Sequence, residues 1–260
     1  MIGFLLKKTF YDSWDNLFRI VLLNIGFLLT ASFTVFVPGF VAGFTDSGSI
    51  SMILMITGIF LCTVYLSMAS HVLKMISDYG SFGFSDFFKA FKTAWPAGIV
   101  IGFLILFVIL IVSVIIPFYL VMESPVGLVL AALIFWILVF GILSFQFYFT
   151  VCARLGTNLK KALKKCLLIS LDNTGFTVFS LFHNIFAIFL SAFLAFLFPG
   201  PAGILLFLDQ GLRLRLLKYD WLEANPDVNR KKIPWDALLI EEREKTGTRS
   251  FKNFIFPWKD

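Results

Sequence analysis

Lysine and arginine are confined to every second connection between the long apolar runs of this sequence. The connections at 43–49, 122–125 and 197–203 contain neither residue. The N-terminal segment through Arg19, the linkers at 72–95 and 152–174, and everything from Arg213 onward hold all 22. A chain with this alternation crosses a bilayer an even number of times, with both termini on the positive, cytoplasmic side. A crossing helix needs about 20 mostly apolar residues. The runs at 17–41, 50–71, 97–121, 126–151 and 175–198 satisfy this. The run at 201–217 is the weakest, because it contains Asp209, Gln210, Arg213 and Arg215. It is counted as a sixth span because five would put the basic tail on the wrong side. The expected fold is therefore all-α: a polytopic domain over 1–217 with six transmembrane helices and interfacial amphipathic helices, followed by a cytoplasmic tail over 218–260.

Composition agrees with a lipid environment. The chain is 59% hydrophobic and 15% charged, against roughly a quarter charged in soluble domains. Its 34 phenylalanines suit contact with acyl chains and would be an aggregation liability in water. The net charge of +6 lies beside apolar spans, which favours anionic inner-leaflet lipids as partners and excludes a nucleic-acid module, as no nucleic-acid-binding signature accompanies it. Cys62, Cys152 and Cys166 have no metal or redox spacing and are expected to be free thiols. The apolar run at 20–44 is too long for a signal peptide and is kept as an uncleaved first span.

Three short basic and aromatic stretches precede apolar runs. In 85–98, helical winding puts Phe87, Phe88, Phe91, Ala94 and Trp95 on one face, with Lys89 and Lys92 toward the other. That is the make-up of a helix lying in the membrane interface, which Pro96 is expected to end. Stretches 4–14 and 158–171, the latter with Lys160, Lys161, Lys164 and Lys165, have similar character. The pattern suggests three units, each an interfacial helix leading into a transmembrane hairpin. In the tail, Pro234 suits the first turn of a helix that Gly247 ends. Phe251, Phe254, Phe256 and Trp258 are expected to dock on the bundle or the head groups, with Lys252 and Lys259 meeting anionic lipid.

Polar residues inside the spans are the candidate sites. Asp209 leads, since an acid within a span is costly and by default functional. Arg213 lies one turn on and is the expected ion partner, with Arg19 of the first span as a competitor. The plainer reading is a structural pair tying the sixth helix to the first. His183 and Asn184 allow a proton relay, although interhelical hydrogen bonding is the plainer role, as it is for Asn24 and Gln146. Asp78, Asp86 and His71 are the remaining set near the inner face. No catalytic constellation, cofactor motif or metal-ligand spacing is present in the sequence.

Asn24 early in a long first span, the aromatic and basic segment 84–92 before the third and the basic segment 160–163 before the fifth resemble the YesL-like family of small bacterial membrane proteins, a domain of unknown function. The resemblance covers about 10–217. It departs from the family in the first hairpin, where TVFVPGFVAG lacks the threonine of a P-x-x-T-x-G segment, and in the long tail. The resemblance implies a bacterial plasma-membrane location and a link to carbohydrate transport. The expected function is thus a non-enzymatic accessory subunit beside a membrane transporter, or a homo-oligomer of such subunits. A small transporter with a polar midplane site is the alternative, and a lipid-acting intramembrane enzyme comes third.

Overall fold

A computed structural model describes residues 1–45, 47–156, 158–227, 233–247 and 249. All regular structure among them is helical. Helix α1 (Ile2–Asp15) precedes the long α2 (Leu17–Thr45) and α3 (Gly48–Ser77). Then follow α4 (Phe84–Leu110), a π-helical turn (Ile111–Ile115) and α5 (Ile116–Val121), which form one continuous rod. Helix α6 (Pro125–Phe145) leads through a break at Gln146 into α7 (Tyr148–Leu155). The remainder is α8 (Leu159–Asp172), α9 (Thr174–Phe193), α10 (Gly200–Ala224), α11 (Trp235–Leu238) and α12 (Ile240–Thr246).

Among the described residues five helices are long and apolar enough to cross a membrane: Leu17–Thr45, Gly48–Ser77, Phe84–Val121, Pro125–Leu155 and Thr174–Phe193. This supports a membrane protein. Helix α10 is not among them; the stretch expected as a sixth span is helical, but it is enclosed by other helices. Leu205 to Leu212 of α10 are all buried. Enclosure explains why it tolerates charge: its polar side chains meet protein and not lipid.

Helix α3 is the axis of the bundle, packed on α2, α4, α7 and α10. Small residues make the closest approaches possible, as in other membrane helix pairs. A Cβ on Gly58 would fall 2.7 Å from the Thr34 Cα, and one on Gly98 would collide with the Val64 backbone. Tyr65 of α3 donates a hydrogen bond to the Leu23 carbonyl at 2.8 Å, which fixes the antiparallel register of α2 and α3.

Two cores lie at the basic end. One gathers Ile20, Leu23, Ala69, Leu73, Leu205 and Leu206, and the other Leu5, Phe147, Tyr148, Cys166, Phe207 and Leu239. Toward the opposite end the helices expose Phe36, Phe40, Ile53, Phe103, Val121 and Trp136. An apolar surface of this extent is stable against acyl chains.

The basic stretches are built in three different ways. Helix α4 runs unbroken through Pro96, so the aromatic stretch and the span are one helix instead of two. Ser67 of α3 binds the Ala94 carbonyl there at 2.8 Å, and close packing holds the rod across the proline. Phe88, Phe91 and Trp95 are exposed with Lys89 and Lys92, while Phe87 turns in against Tyr65 and Ala94 is fully buried. Helix α8 buries Ala162, Cys166 and Ile169 and leaves Lys160, Lys161 and Lys164 outward, with Lys165 partly covered. Helix α1 buries Lys8, the opposite of an interfacial lysine. The tail helix is split at the buried Leu239 into α11 and α12, and Gly247 follows at φ +77°. Phe251, Phe254, Phe256 and Trp258, with Lys252 and Lys259, lie outside the described residues.

Gly98→Val is expected to destabilise the protein by about 1–3 kcal/mol through overpacking against α3. Gly39→Ala, with nothing within 4 Å of the added carbon inside a helix, is expected to be neutral to stabilising by up to about 1 kcal/mol. Melting temperatures of the two variants in detergent measure the difference.

Candidate functional site

Helix α3 ends in a polar cluster. Its last turn closes with the Gly80 amide on the Met75 carbonyl at 2.8 Å and the Tyr79 amide on Ile76 at 2.9 Å. This is a Schellman closure, whose left-handed position usually takes glycine. Here Tyr79 occupies it at φ +63°. A tyrosine is held in that conformation only where its surroundings over-determine it. The Lys8 ammonium lies 3.5 Å from the Tyr79 ring centroid and the Arg213 guanidinium 5.4 Å from it. The hydroxyl donates to the Glu242 carboxylate at 2.8 Å. Burial raises the phenol's pKa above its ordinary value of 10.0, so the proton stays on it.

Around this ring the ionic groups form a connected chain. Asp209 of α10 is completely buried and is hydrogen-bonded by the Arg154 guanidinium of α7. Arg154 also reaches Asp78 at 3.1 Å and the Ser77 hydroxyl at 2.8 Å. Arg213 meets Asp78 at 2.6 Å, Glu242 of α12 at 2.6 Å and the Ser77 carbonyl at 2.7 Å. Lys8 pairs with Asp12 at 2.7 Å. Asp12 accepts from Gln210 at 2.6 Å, and Thr9 donates to the Gln210 side-chain oxygen at 2.6 Å. Burial pushes the Lys8 ammonium down and the Asp12 carboxyl up from their ordinary values, while their mutual attraction opposes both shifts. Five helices (α1, α3, α7, α10 and α12) are thereby joined through ionic and amide groups. Lys7 to the Gly247 carbonyl and Arg249 to Asp15 add two outer ties.

The expected pairing of Asp209 with Arg213 therefore gives way to a different one. Helix α7 brings Arg154 onto the buried side of α10, and Arg213 is taken by Asp78 and Glu242. Arg19 meets neither; it donates to the Asn16 side chain at 2.8 Å. Sequence reading missed Lys8, Asp12, Tyr79, Arg154 and Glu242 as members of one site. The available signal was Asp78-Tyr79-Gly80, a helix end whose glycine sits one place later than the left-handed position needs.

The other candidates occupy separate contacts. Asn24, fully buried, donates to the carbonyls of Leu197 and Pro199 at 2.9 Å each and accepts from the Ala202 amide at 2.9 Å. The Ser191 hydroxyl takes the Gly200 amide at 2.9 Å. Together they satisfy the first amides of α10, which a helix start would otherwise leave unpaired in apolar surroundings. Gln146 bridges the break after α6 to the Thr177 carbonyl at 3.1 Å and accepts from Asn184 at 3.1 Å. His183 stacks on Phe207, with ring centroids 3.6 Å apart. The set from the inner face disperses as well: Asp78 belongs to the ionic cluster, Asp86 holds the Gly83 amide at the start of α4, and His71 meets the Ser67 carbonyl. Among the described residues no group of His, Cys, Asp and Glu has the arrangement of a metal site.

Fold and site together define a polytopic helical membrane protein whose basic end is locked by a buried ionic cluster. Comparison with protein-family models, with curated proteins and with solved structures gave no match.

Removing one partner of a buried ion pair strands the other charge and costs about 3–5 kcal/mol, whereas replacing both with apolar groups is often near neutral. Asp209→Ala is expected to show the first effect and Asp209→Leu with Arg154→Met to recover most of the loss, read as thermal unfolding in detergent. An equal loss in both variants would contradict the pairing.

Proposed function

We propose that the chain is a non-enzymatic accessory subunit of the bacterial plasma membrane, working beside a solute transporter. One observation carries this reading: the polar residues singled out near the spans sit at separate helix-to-helix contacts and do not line one common cavity. Asn24 holds the start of α10, Gln146 and Asn184 join α6 to α9, His183 stacks on Phe207, and Asp209 belongs to the ionic cluster. A transport site needs such groups to converge on one cavity. The slots found among the described residues are instead lined mostly by apolar side chains. One of about 500 Å³ between α4 and α6 is walled by Ile101, Leu104, Ile134 and Leu138. The exposed faces of α2, α4 and α6 leave room for neighbouring helices, and the resemblance to YesL-like proteins points toward carbohydrate uptake. In mild detergent, crosslinked protein from native membranes is expected to bring down transporter subunits, and deletion is expected to lower uptake of their solute. A chain that always runs alone, with uptake unchanged on deletion, would sink the idea.

The basic end faces the cytoplasm in this reading, with both termini there. Helices α2, α3, α4–α5 and α6 cross the bilayer fully, while α9 and α10 form a hairpin that leaves on the side it entered. Its turn lies beside Asn24. From Asn24, α2 continues to Thr45, on the order of 30 Å at about 1.5 Å per residue. That remaining length alone matches a bilayer's hydrocarbon core of roughly 30 Å. An even number of full crossings preserves the separation of lysines and arginines from the outer connections. In a background without native cysteines, Glu123→Cys is expected to react in intact cells with a membrane-impermeant maleimide, and Leu197→Cys is not. Equal labelling from outside would restore six full crossings.

A further inference from the structure

A second slot, of about 420 Å³, lies between α2, α3 and the first turns of α4. Leu22, Gly26, Phe87 and the Tyr65 ring form its walls. The Tyr65 hydroxyl is taken by the Leu23 carbonyl, so the slot receives only its ring. Phe18, Phe84 and Phe88 also line it and are strongly exposed. Phenylalanines beside basic residues of this kind sink their rings into the boundary between head groups and acyl chains.

Arg19 is the cation of this slot. Arg154, Arg213, Arg243 and Arg249 each meet a carboxylate, and Arg215 lies over the Phe176 ring at 4.3 Å. Among the described residues Arg19 has only the neutral Asn16 side chain. Asp86, on the helix forming the opposite wall, is engaged by the Gly83 amide at 3.0 Å and Lys89 at 3.9 Å. A guanidinium retains several donors in a fork that fits a phosphate. Along α2, Arg19 and Gly26 are on the order of 10 Å apart, with Arg19 nearer the basic end. That spacing suits a head-group phosphate at one end and the upper part of an acyl chain at the other.

We propose that this slot binds one anionic phospholipid, with its phosphate on the Arg19 guanidinium and an acyl chain along Leu22, Gly26 and the Tyr65 ring. The site is independent of the accessory-subunit reading and requires only that the protein lie in a bilayer. The occupant is a lipid and not a free anion because the apolar walls continue directly from the cation.

The test uses full-length protein delipidated in a neutral detergent. Phosphatidylglycerol, phosphatidylcholine or inorganic phosphate is added, and melting temperature and lipid retention by native mass spectrometry are read. The expected result is one retained phosphatidylglycerol per chain, with a rise in melting temperature that phosphatidylcholine does not match. Arg19→Gln is expected to weaken this binding roughly tenfold or more, the size of a lost charge-assisted contact. Leu22→Trp keeps the guanidinium but fills the slot, and is also expected to abolish retention. This second variant keeps the test decisive if Arg19→Gln folds poorly. Equal effects of the two lipids, unchanged retention in Leu22→Trp, or a full shift from phosphate alone would each overturn the site.

Discussion

A carboxylate with no exposed surface must be answered by the protein around it. Asp209 is such a group, and the basic end of the bundle is arranged around answering it. An isolated charge moved out of water costs several kcal/mol even after relaxation. Arg154 meets that demand directly and brings α7 with it; Asp78, shared between Arg154 and Arg213, brings the end of α3. Glu242 then draws in α12. Such a cluster adds little net stability compared with a well-packed apolar core. Its effect is to select one arrangement of these helices over shifted ones, since any slip along α10 would strand a buried charge.

Tyr79 shows how closely backbone and side chain are tied at this point. A tyrosine in the left-handed region is uncommon. Here its ring lies beside Lys8 and Arg213, and its hydroxyl reaches Glu242, so chain direction and ionic contacts enforce each other. Asn24 plays the corresponding part for the start of α10. Its single amide satisfies two carbonyls and one amide where water is scarce. A helix can begin inside an apolar bundle, away from water, only if such a group is supplied.

These two anchors divide the molecule. At the basic end α1, α7, α8, α10 and α12 make a compact, polar-locked body. Beyond Asn24 the long helices continue with most of their surface apolar and uncovered. Open apolar faces of this extent call for lipid around them. Arg19 and its aromatic slot lie on the border of the two parts.

The sequence by itself determined that the chain is all-helical and belongs in a membrane. Apolar runs of crossing length and their segregated lysines are local features, legible without knowing what packs on what. It also marked Asp209, Asn24, Gln146 and Asn184 as polar groups needing partners. The partners were a different matter. Arg154 lies 55 residues from Asp209 and Glu242 lies 163 from Tyr79, so only the packing of helices from distant parts of the chain brings them together. Lys8 was indistinguishable from an interfacial lysine until α1 buried it. Likewise, a helical run with four polar residues reads as a poor span in sequence. Its neighbours decided that it would be an enclosed helix, because burial by protein satisfies what lipid could not.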